Sequence, residues 1–392
     1  MFATDVLKVL YAPHKVFKQI IQNPKYWGPL LIFVIFIAAQ SGFYYSLYSK
    51  TYYEQTTPDI TNLGAWTLNA TMWTVSPGVA ISSNYIDYLN SSVYGNSSMQ
   101  FDVSNSNNMS ITLSDISNVN CGSSGYLNLS MRIKQVDPQT TPSSAYLTLY
   151  SLGQSNSYRY DLTSDLSNAS LIGSWNNITV PVGASASNWQ AAGSPQWGNI
   201  TGLKLDFNYA ANSTITMRVE GLFFRGIFES PVKTDFVGFL VYVLQATIIQ
   251  FIEEWILFAA LMYIIIKGLK GSVIWKPLFV AVGFALVVTV VQSLISLVAI
   301  VTLPAVNYPV ELLTSFPGEA QVLLNAVSTQ TAAYSLTVGL VQLVIYVWTA
   351  GLGVFIVRAL LPEFTYTKCI LVSAAAFIVT ILLVSFLSAL GF

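Results

Sequence analysis

Residues 27–48 read WGPLLIFVIFIAAQSGFYYSLY, an apolar run without a charged side chain. A helix rises about 1.5 Å per residue, so the run can cross a hydrocarbon core about 30 Å thick. Its aromatic end, from Phe43 to Tyr48, is typical of an interfacial belt. The run therefore predicts a transmembrane helix. A cleaved signal peptide is the alternative, because Ala39-Gln40-Ser41 is similar to a small-residue cleavage site.

The rest of the chain falls into one polar block and four further apolar runs. The runs follow the block and are each long enough to span a bilayer. We predict transmembrane helices at 27–48, 235–266, 278–303, 332–357 and 370–391. The chain is 53% hydrophobic and only 9% charged, as a multi-span membrane protein should be.

Residues 50–230 are rich in Ser, Thr, Asn and Gly and contain short stretches of alternating polarity. The clearest are 146–150, 203–207 and 215–219, each with the period of two that β-strands show. The pattern predicts an all-β sandwich or jelly roll of antiparallel strands. At roughly 180 residues the block can bury its own core without disulfides.

Composition also excludes several classes of function. The net charge of −1 and the absence of a basic stripe argue against a nucleic-acid partner. The single histidine, His14, has no cysteine near it, so we predict no metal site and no cofactor. The two cysteines, Cys121 and Cys369, fall in different blocks, which argues against a disulfide between them.

Lysine and arginine residues orient the predicted helices. They precede the first run, separate the second from the third, and separate the fourth from the fifth: Lys8, Lys15, Lys18, Lys25, Lys267, Lys270, Lys276, Arg358 and Lys368. By the positive-inside rule these segments are cytoplasmic. We therefore predict a multi-pass protein of the cell membrane, with residues 1–26 inside and residues 50–230 and the C-terminus outside.

The cytoplasmic lead, residues 1–26, has an amphipathic pattern. Pro13 can occupy an early helical position, and Val16, Phe17, Ile20 and Ile21 then share one face. Two interpretations stay open, a short helix on the inner membrane surface and a solvated basic segment that only sets topology.

Nine Asn-x-Ser/Thr acceptors lie in the β block, which predicts an exported glycoprotein carrying N-linked glycans. They are Asn69, Asn90, Asn96, Asn108, Asn128, Asn168, Asn177, Asn199 and Asn212. A segment this rich in Asn, Ser and Thr also generates such triplets by chance.

Three segments of the apolar blocks together resemble the Yip family of five-span membrane proteins of the early secretory pathway. The segments are Ala12-Pro13 to Phe17 with Asn23-Pro24 and Trp27-Gly28-Pro29-Leu30; Lys270-Gly271-Ser272 with Pro277; and Trp348 to Leu360 with Thr367-Lys368-Cys369. The resemblance covers about 1–49 and 235–392 and implies a five-helix anchor. The chain departs from the family by inserting the β block, and its short lead gives no basis for a GTPase partner.

The β block is similar to the galactose-binding-type jelly rolls found as carbohydrate-binding modules. The resemblance is carried by 173–181, by Trp189, by Trp197 with 199–203, and by Val219-Glu220-Gly221-Leu222-Phe223-Phe224. Aromatic rings can cover the apolar face of a sugar while carboxylates bond its hydroxyls. The candidate ligand-binding residues are Trp175, Trp189, Trp197, Asp206 and Glu220, although tryptophans in a sandwich more often belong to the core.

No pair of acids in the block marks itself as the acid and nucleophile of a glycosidase, and we predict no enzyme activity. Polar residues inside the predicted helices form a second candidate set, because such groups are costly in a bilayer. They are Gln250, Glu253, Glu254, Gln292 and Gln342. Their role is either to join helices by hydrogen bonds or to line a path for solutes.

The sequence thus predicts a non-enzymatic cell-envelope protein, a membrane-anchored adaptor or scaffold. Its outside domain binds a glycan or a protein, and its other partners are the lipid bilayer and N-linked glycans. A homo-oligomer or a larger membrane complex is compatible with this arrangement. The alternative function is a small-solute or ion transporter, or a membrane-trafficking protein.

Overall fold

The computed structural model describes residues 2–89, 93–168, 172–312 and 319–389. The chain divides into two compact units, here called the helical unit and the β unit. The helical unit comprises Met1–Tyr52, Ser230–Val306 and Ser328–Phe392, and the β unit comprises Tyr53–Glu229 and Asn307–Val327. The β unit thus includes a segment between the third and fourth apolar runs, which the sequence places in a plain outside loop.

The helical unit contains most of the α-helices found in the described ranges. They are α1 (Phe2–Tyr11), α2 (Pro13–Gln22), α3 (Trp27–Tyr48), α4 (Pro231–Thr234), α5 (Phe236–Gly268), α6 (Trp275–Ala285), α7 (Val287–Ile300), α8 (Glu319–Leu360) and α9 (Tyr366–Ala389). By length and composition, five stretches of the described chain could cross a membrane: Trp27–Tyr48, Phe236–Gly268, Trp275–Ile300, Ala320–Leu360 and Tyr366–Leu387.

Helix α8 begins well before the predicted start of the fourth run at 332. Its first turns are rich in Ala, Gln and Asn, which lack the hydrophobicity of a span, and Ala and Gln are compatible with a helix. Periodicity and hydropathy therefore find the apolar part of this helix and miss its polar extension.

Side chains fix two of the helix ends. The Asp235 carboxylate accepts a hydrogen bond from the Gly238 amide at 2.9 Å and caps the start of α5. Lys50 donates from Nζ to the carbonyl oxygens of Ile300, Val301 and Leu303 at 3.0, 2.9 and 2.6 Å. These carbonyls lie at and just beyond the end of α7, where the Ile300 carbonyl also accepts from the Leu303 amide at 3.1 Å, so the lysine adds a cationic donor that caps this helix end.

The N-terminal lead packs inside the helical unit. Val16, Phe17 and Ile20 on α2 are buried and belong to the hydrophobic core that the longer helices share. Lys15 and Lys18 remain exposed. Helix α2 therefore packs its apolar face on protein, chiefly on α6.

The β unit is built from antiparallel strands. They are β1 (Thr51–Thr57), β2 (Trp73–Val75), β3 (Ala80–Asn84), β4 (Ser98–Val119), β5 (Asn128–Asp137), β6 (Ser144–Ser151), β7 (Ser157–Asp161), β8 (Asn176–Pro181), β9 (Trp189–Ala192), β10 (Ile200–Glu229) and β11 (Val306–Tyr308). The predicted fold class is confirmed to this extent: the chain combines an antiparallel β fold with five long apolar helices.

Strands β4 and β10 are long enough to run through two layers. Residues 200–208 of β10 lie between β4 and β6, whereas residues 216–219 lie between the other half of β4 and β5. Layer 1 has the order β2-β4-β10-β6-β7-β9, and layer 2 has the order β3-β4-β10-β5-β8. Side chains from both halves of β10, such as Leu205 and Met217, share one buried core, so the layers face each other.

A buried ion cluster closes one end of the β unit. Arg225 on β10 donates from Nε and Nη2 to Glu54 on β1, each at 2.9 Å, and also bonds both carboxylate oxygens of Glu311. The Glu54 side chain is only 2% exposed and also accepts from the Val310 amide at 2.9 Å. One arginine therefore joins the first strand, the last long strand and the 307–312 segment.

We expect Arg225→Met to destabilise the β unit by about 3 kcal/mol or more, because it leaves two enclosed carboxylates without their cation. Arg159→Met removes an exposed arginine and should cost less than about 1 kcal/mol. The loss of stability in each variant is measured by urea unfolding of the whole chain in detergent, with hydrogen exchange in residues 223–229 as the signal. Equal stabilities for the two variants would show that the cluster contributes little.

Candidate functional site

The solvent side of layer 1 carries a regular array of polar and aromatic side chains. Along β6 every second residue is buried in the core, which turns Tyr146, Thr148 and Tyr150 to the opposite side. The same alternation on β10 turns Lys204 and Asp206 outward. We call this surface the tyrosine face and define it by Thr112, Tyr146, Thr148, Tyr150, Arg159, Lys204 and Asp206.

Strand register arranges these side chains in rows across the sheet. One row runs Thr74, Thr112, Lys204, Thr148, Arg159 and Gln190 over six neighbouring strands. The next row places Ser110, Asp206, Tyr146 and Asp161 side by side. Side chains directly opposite on adjacent strands are about 5 Å apart, so the rows form a continuous surface.

Lys204 and Ser110 hold Asp206 in position. Lys204 Nζ lies 2.7 Å from Asp206 Oδ1, and the Ser110 hydroxyl donates to the same oxygen. Both contacts of Asp206 in the described chain use Oδ1. The second carboxylate oxygen, Oδ2, is therefore available to accept a hydrogen bond from a ligand.

The two tyrosines of the face have different surroundings. The Arg159 guanidinium lies 3.7 Å from the ring centroid of Tyr146, a stacked cation–π contact. Tyr150 faces Gly202 across the strand pair, and a side chain there would begin 3.5 Å from the Tyr150 ring. Burial raises the pKa of Tyr150, with the Asp206 charge adding to the rise and Lys204 opposing it. Its phenol therefore stays a hydrogen-bond donor at neutral pH.

The solvent side of layer 2 has polar side chains that bond chiefly to one another. Gln100 donates to Asp102 at 2.8 Å and accepts from Arg218 at 2.8 Å. Asp87 accepts from Arg218 and lies 2.8 Å from Lys134. This network satisfies its own donors and acceptors, and so it is a poorer candidate for a ligand surface than the tyrosine face.

Of the five predicted ligand-binding residues, the structure brings together Trp189 and Trp197. Trp189 and Trp197 lie 5.3 Å apart between ring centroids, packed at the edge of the core. Tyr158 stacks on Trp197 at 3.8 Å, and the Trp189 indole donates to the Pro181 carbonyl at 2.9 Å. Trp175 lies elsewhere, donating to Asp87 at 3.2 Å. These three indoles serve packing and local hydrogen bonding.

Of the two predicted carboxylates, Asp206 belongs to the tyrosine face and Glu220 does not. Glu220 is fully buried and accepts a hydrogen bond from the Leu89 amide at 2.7 Å. Burial raises the pKa of Glu220 to about 8, an effect that the Leu89 bond partly opposes. Glu220 is therefore an interior residue that cannot reach a ligand in solvent.

The predicted glycosylation sites differ in exposure. Asn69, Asn96, Asn108, Asn168 and Asn212 are exposed, whereas Asn128, Asn177 and Asn199 are half-buried. Asn90 lies outside the described residues. The Asn177 side chain accepts a hydrogen bond from Arg132, a contact that a glycan on this residue would disturb.

Three of the predicted intramembrane residues line one cavity in the helical unit. The cavity has a volume of about 160 Å³, and Gln250, Glu254 and Gln292 belong to its wall. Gln250 Nε2 donates to Glu254 Oε1 at 3.1 Å. Glu253 is not part of the wall, and Gln342 reaches it only indirectly, by donating to the hydroxyl of the lining residue Tyr346 on α8.

Sequence reasoning missed Tyr146, Tyr150, Arg159 and Lys204 as site residues. The alternating pattern at 146–150 contains a signal for them. The two tyrosines there alternate with leucines and so point to the side of the strand away from the core. Aromatic side chains on the solvent side of a sheet are a better indication of a ligand surface than tryptophans in irregular segments.

Comparisons with known proteins find similarity to solved structures alone. No family model matches the chain, and no curated protein matches it. The family 11 carbohydrate-binding module from Clostridium thermocellum, solved with a β-1,3-1,4-mixed-linked tetrasaccharide, is 14% identical, with 44% of this chain and 94% of the module covered and a TM-score of 0.29. The CBM22-1 xylan-binding domain from Paenibacillus barcinonensis is 13% identical. The similarity covers 42% of this chain and 90% of that domain, with a TM-score of 0.23.

The raised pKa of Glu220 predicts a pH-dependent stability of the β unit. The folded state keeps this proton to about pH 8, whereas an ordinary glutamate releases it near 4.5. The contribution of Glu220 to stability should therefore be fully present below pH 4.5 and be lost as the pH rises toward 8. Glu220→Gln removes this titration, so its urea midpoint should change less between pH 5 and pH 8 than that of the wild type.

Asp115→Asn changes an exposed carboxylate and is the control, with a pH dependence like that of the wild type. An unchanged pH dependence in Glu220→Gln would show that Glu220 is ionised throughout this range.

Proposed function

We propose that this chain is a membrane-anchored glycan-binding protein and that the tyrosine face is its ligand surface. The observation that carries the proposal is the placement of Tyr146 and Tyr150 on the solvent side of layer 1, in rows with Asp206, Lys204 and Arg159. No residue of this set is needed in the core, whose apolar side chains lie on the other side of the same strands.

The chemistry of the face suits a saccharide. A tyrosine ring offers a flat apolar surface for the C–H face of a pyranose, and its hydroxyl adds a polar contact. Asp206 Oδ2 can accept from sugar hydroxyls, while Lys204 and Arg159 can donate to hydroxyl or ring oxygens. The rows extend across six strands, so several consecutive sugar units could bind along them.

The helical unit is the anchor in this proposal. Its five apolar stretches have the length to cross a bilayer, and their number and order fit the Yip-like plan. The distribution of lysine and arginine favours a cytoplasmic N-terminus, with the β unit and the C-terminus outside. Exposed acceptors such as Asn69 and Asn212 then become sites for N-linked glycans. The protein acts by binding and scaffolding at the cell envelope, without catalysis.

Binding of the whole chain in lipid nanodiscs to a panel of neutral and acidic polysaccharides tests the proposal. We expect at least one polysaccharide to bind, and Tyr150→Ala and Asp206→Ala each to weaken that binding about tenfold or more, equivalent to at least about 1.4 kcal/mol. Ser82→Ala changes an exposed side chain of β3 in layer 2 and should leave the affinity unchanged.

Two results would contradict the proposal. One is failure of every polysaccharide in the panel to bind the folded wild type. The other is binding that survives in both variants of the tyrosine face, which would move the ligand elsewhere. Capture of a protein through Tyr150 and Asp206, with no polysaccharide bound, would replace the glycan by a protein partner.

A further inference from the structure

The cavity in the helical unit is polar and draws on five helices. Its wall includes Gln40 from α3, Glu254 from α5, Ser293 from α7, Thr349 from α8 and Thr380 from α9. Phe36, Tyr346 and Phe377 add aromatic surface. A void between apolar helices is usually closed by packing, so a polar one of this size needs an explanation.

The cavity carries one acidic group and no basic one. Glu254 is the only ionisable carboxyl in the described wall, and neither lysine nor arginine contributes to it. Lys267, the basic residue at the end of α5, lies thirteen residues further on, or about 20 Å along the helix. An ionised Glu254 is costly in an apolar bundle unless a cation enters to pair with it.

Four of the wall hydroxyls have already committed their hydrogens. Thr289, Thr349 and Thr380 donate to the carbonyls of Leu286, Ile345 and Ala376 at 2.7, 2.8 and 2.8 Å. Ser293 lies 2.6 Å from Gln40 Oε1 and 3.0 Å from the Thr289 carbonyl, to either of which it can donate. These four oxygens can only accept further hydrogen bonds, so a guest that bonds to them must supply N–H or O–H groups.

The third apolar stretch is interrupted where it meets the cavity. Helices α6 and α7 are separated at Leu286, and the Thr289 amide donates to the Leu286 carbonyl three residues back, at 3.0 Å. Thr289, Gln292 and Ser293 of the wall follow directly after this interruption. Breaks in apolar helices are a recurring feature of solute and ion sites inside membranes.

The size of the cavity limits the guest. Its 160 Å³ is close to the engineered cavity of about 150 Å³ that holds benzene, which corresponds to roughly six non-hydrogen atoms. The cavity is larger than a bare metal ion would require. A primary ammonium with a short alkyl group combines the required charge, the N–H donors and the volume.

We propose that this cavity is a binding site for a small primary ammonium ion, with Glu254 as its counter-ion and the hydroxyls of Thr289, Ser293, Thr349 and Thr380 as acceptors. The aromatic rings of Phe36 and Phe377 contact the alkyl part of the guest. The site is separate from the tyrosine face and does not depend on glycan binding.

Thermal unfolding of the whole chain in nanodiscs, followed by the helical circular dichroism signal, tests this site with three probes at equal ionic strength. Methylammonium chloride should raise the midpoint in a saturable way, because a ligand that binds only the folded state stabilises it. Tetramethylammonium, which has no N–H, and sodium should not. Glu254→Gln should abolish the shift, and Glu253→Gln, outside the wall, should keep it.

Direct binding of radiolabelled methylamine to the folded wild type and to Thr349→Val provides a second measurement. We expect saturable binding to the wild type and an affinity at least tenfold lower in the variant, which loses one acceptor. Equal midpoint shifts with all three salts, a full shift in Glu254→Gln, or no saturable methylamine binding would each overturn the proposal. The last result would mean that the cavity holds only water.

Discussion

Alternation of side chains between the two faces of a strand is the constraint on which the β unit depends. Along β4, β6 and β10 every second side chain enters the common core, as Leu147 and Leu205 do. In layer 1 the intervening side chains point to the solvent and form the tyrosine face. A shift of register by one residue would exchange the two sets, so the core that holds the fold also fixes which side chains meet the solvent.

The second architectural feature is continuity along the chain. Strands β4 and β10 contribute to both layers, which makes the two layers one hydrogen-bonded structure. The cluster of Arg225, Glu54 and Glu311 then fastens the 307–312 segment, whose Glu311 is 86 residues from Arg225 in sequence. Its ions are nearly enclosed, and mutual pairing offsets the loss of water that each one suffers. In the helical unit Lys50 has a comparable role at the end of α7.

Sequence patterns predicted the positions of helices and strands better than the contacts that these elements make with each other. Hydropathy located the apolar helices because a bilayer-length run is a direct property of composition, and it missed the polar start of α8 at Glu319 for the same reason. The period of two identified the strands at 146–150 and 203–207, but not the pairing that sets Tyr146 beside Asp206. Glu220 was chosen from its neighbours in sequence, but in the fold it is buried and bonds to the amide of Leu89, which is distant in sequence and close in space. Local patterns carry no information on such contacts.

The central claim is that a glycan covers the tyrosine face, and footprinting measures this directly. Hydroxyl-radical labelling of the whole chain in nanodiscs, with and without a bound polysaccharide, reports the exposure of individual side chains. The account predicts protection of Tyr146 and Tyr150, with exposed Tyr85 on the β unit labelled equally in both states. Unchanged labelling of both tyrosines while the polysaccharide is bound would contradict it.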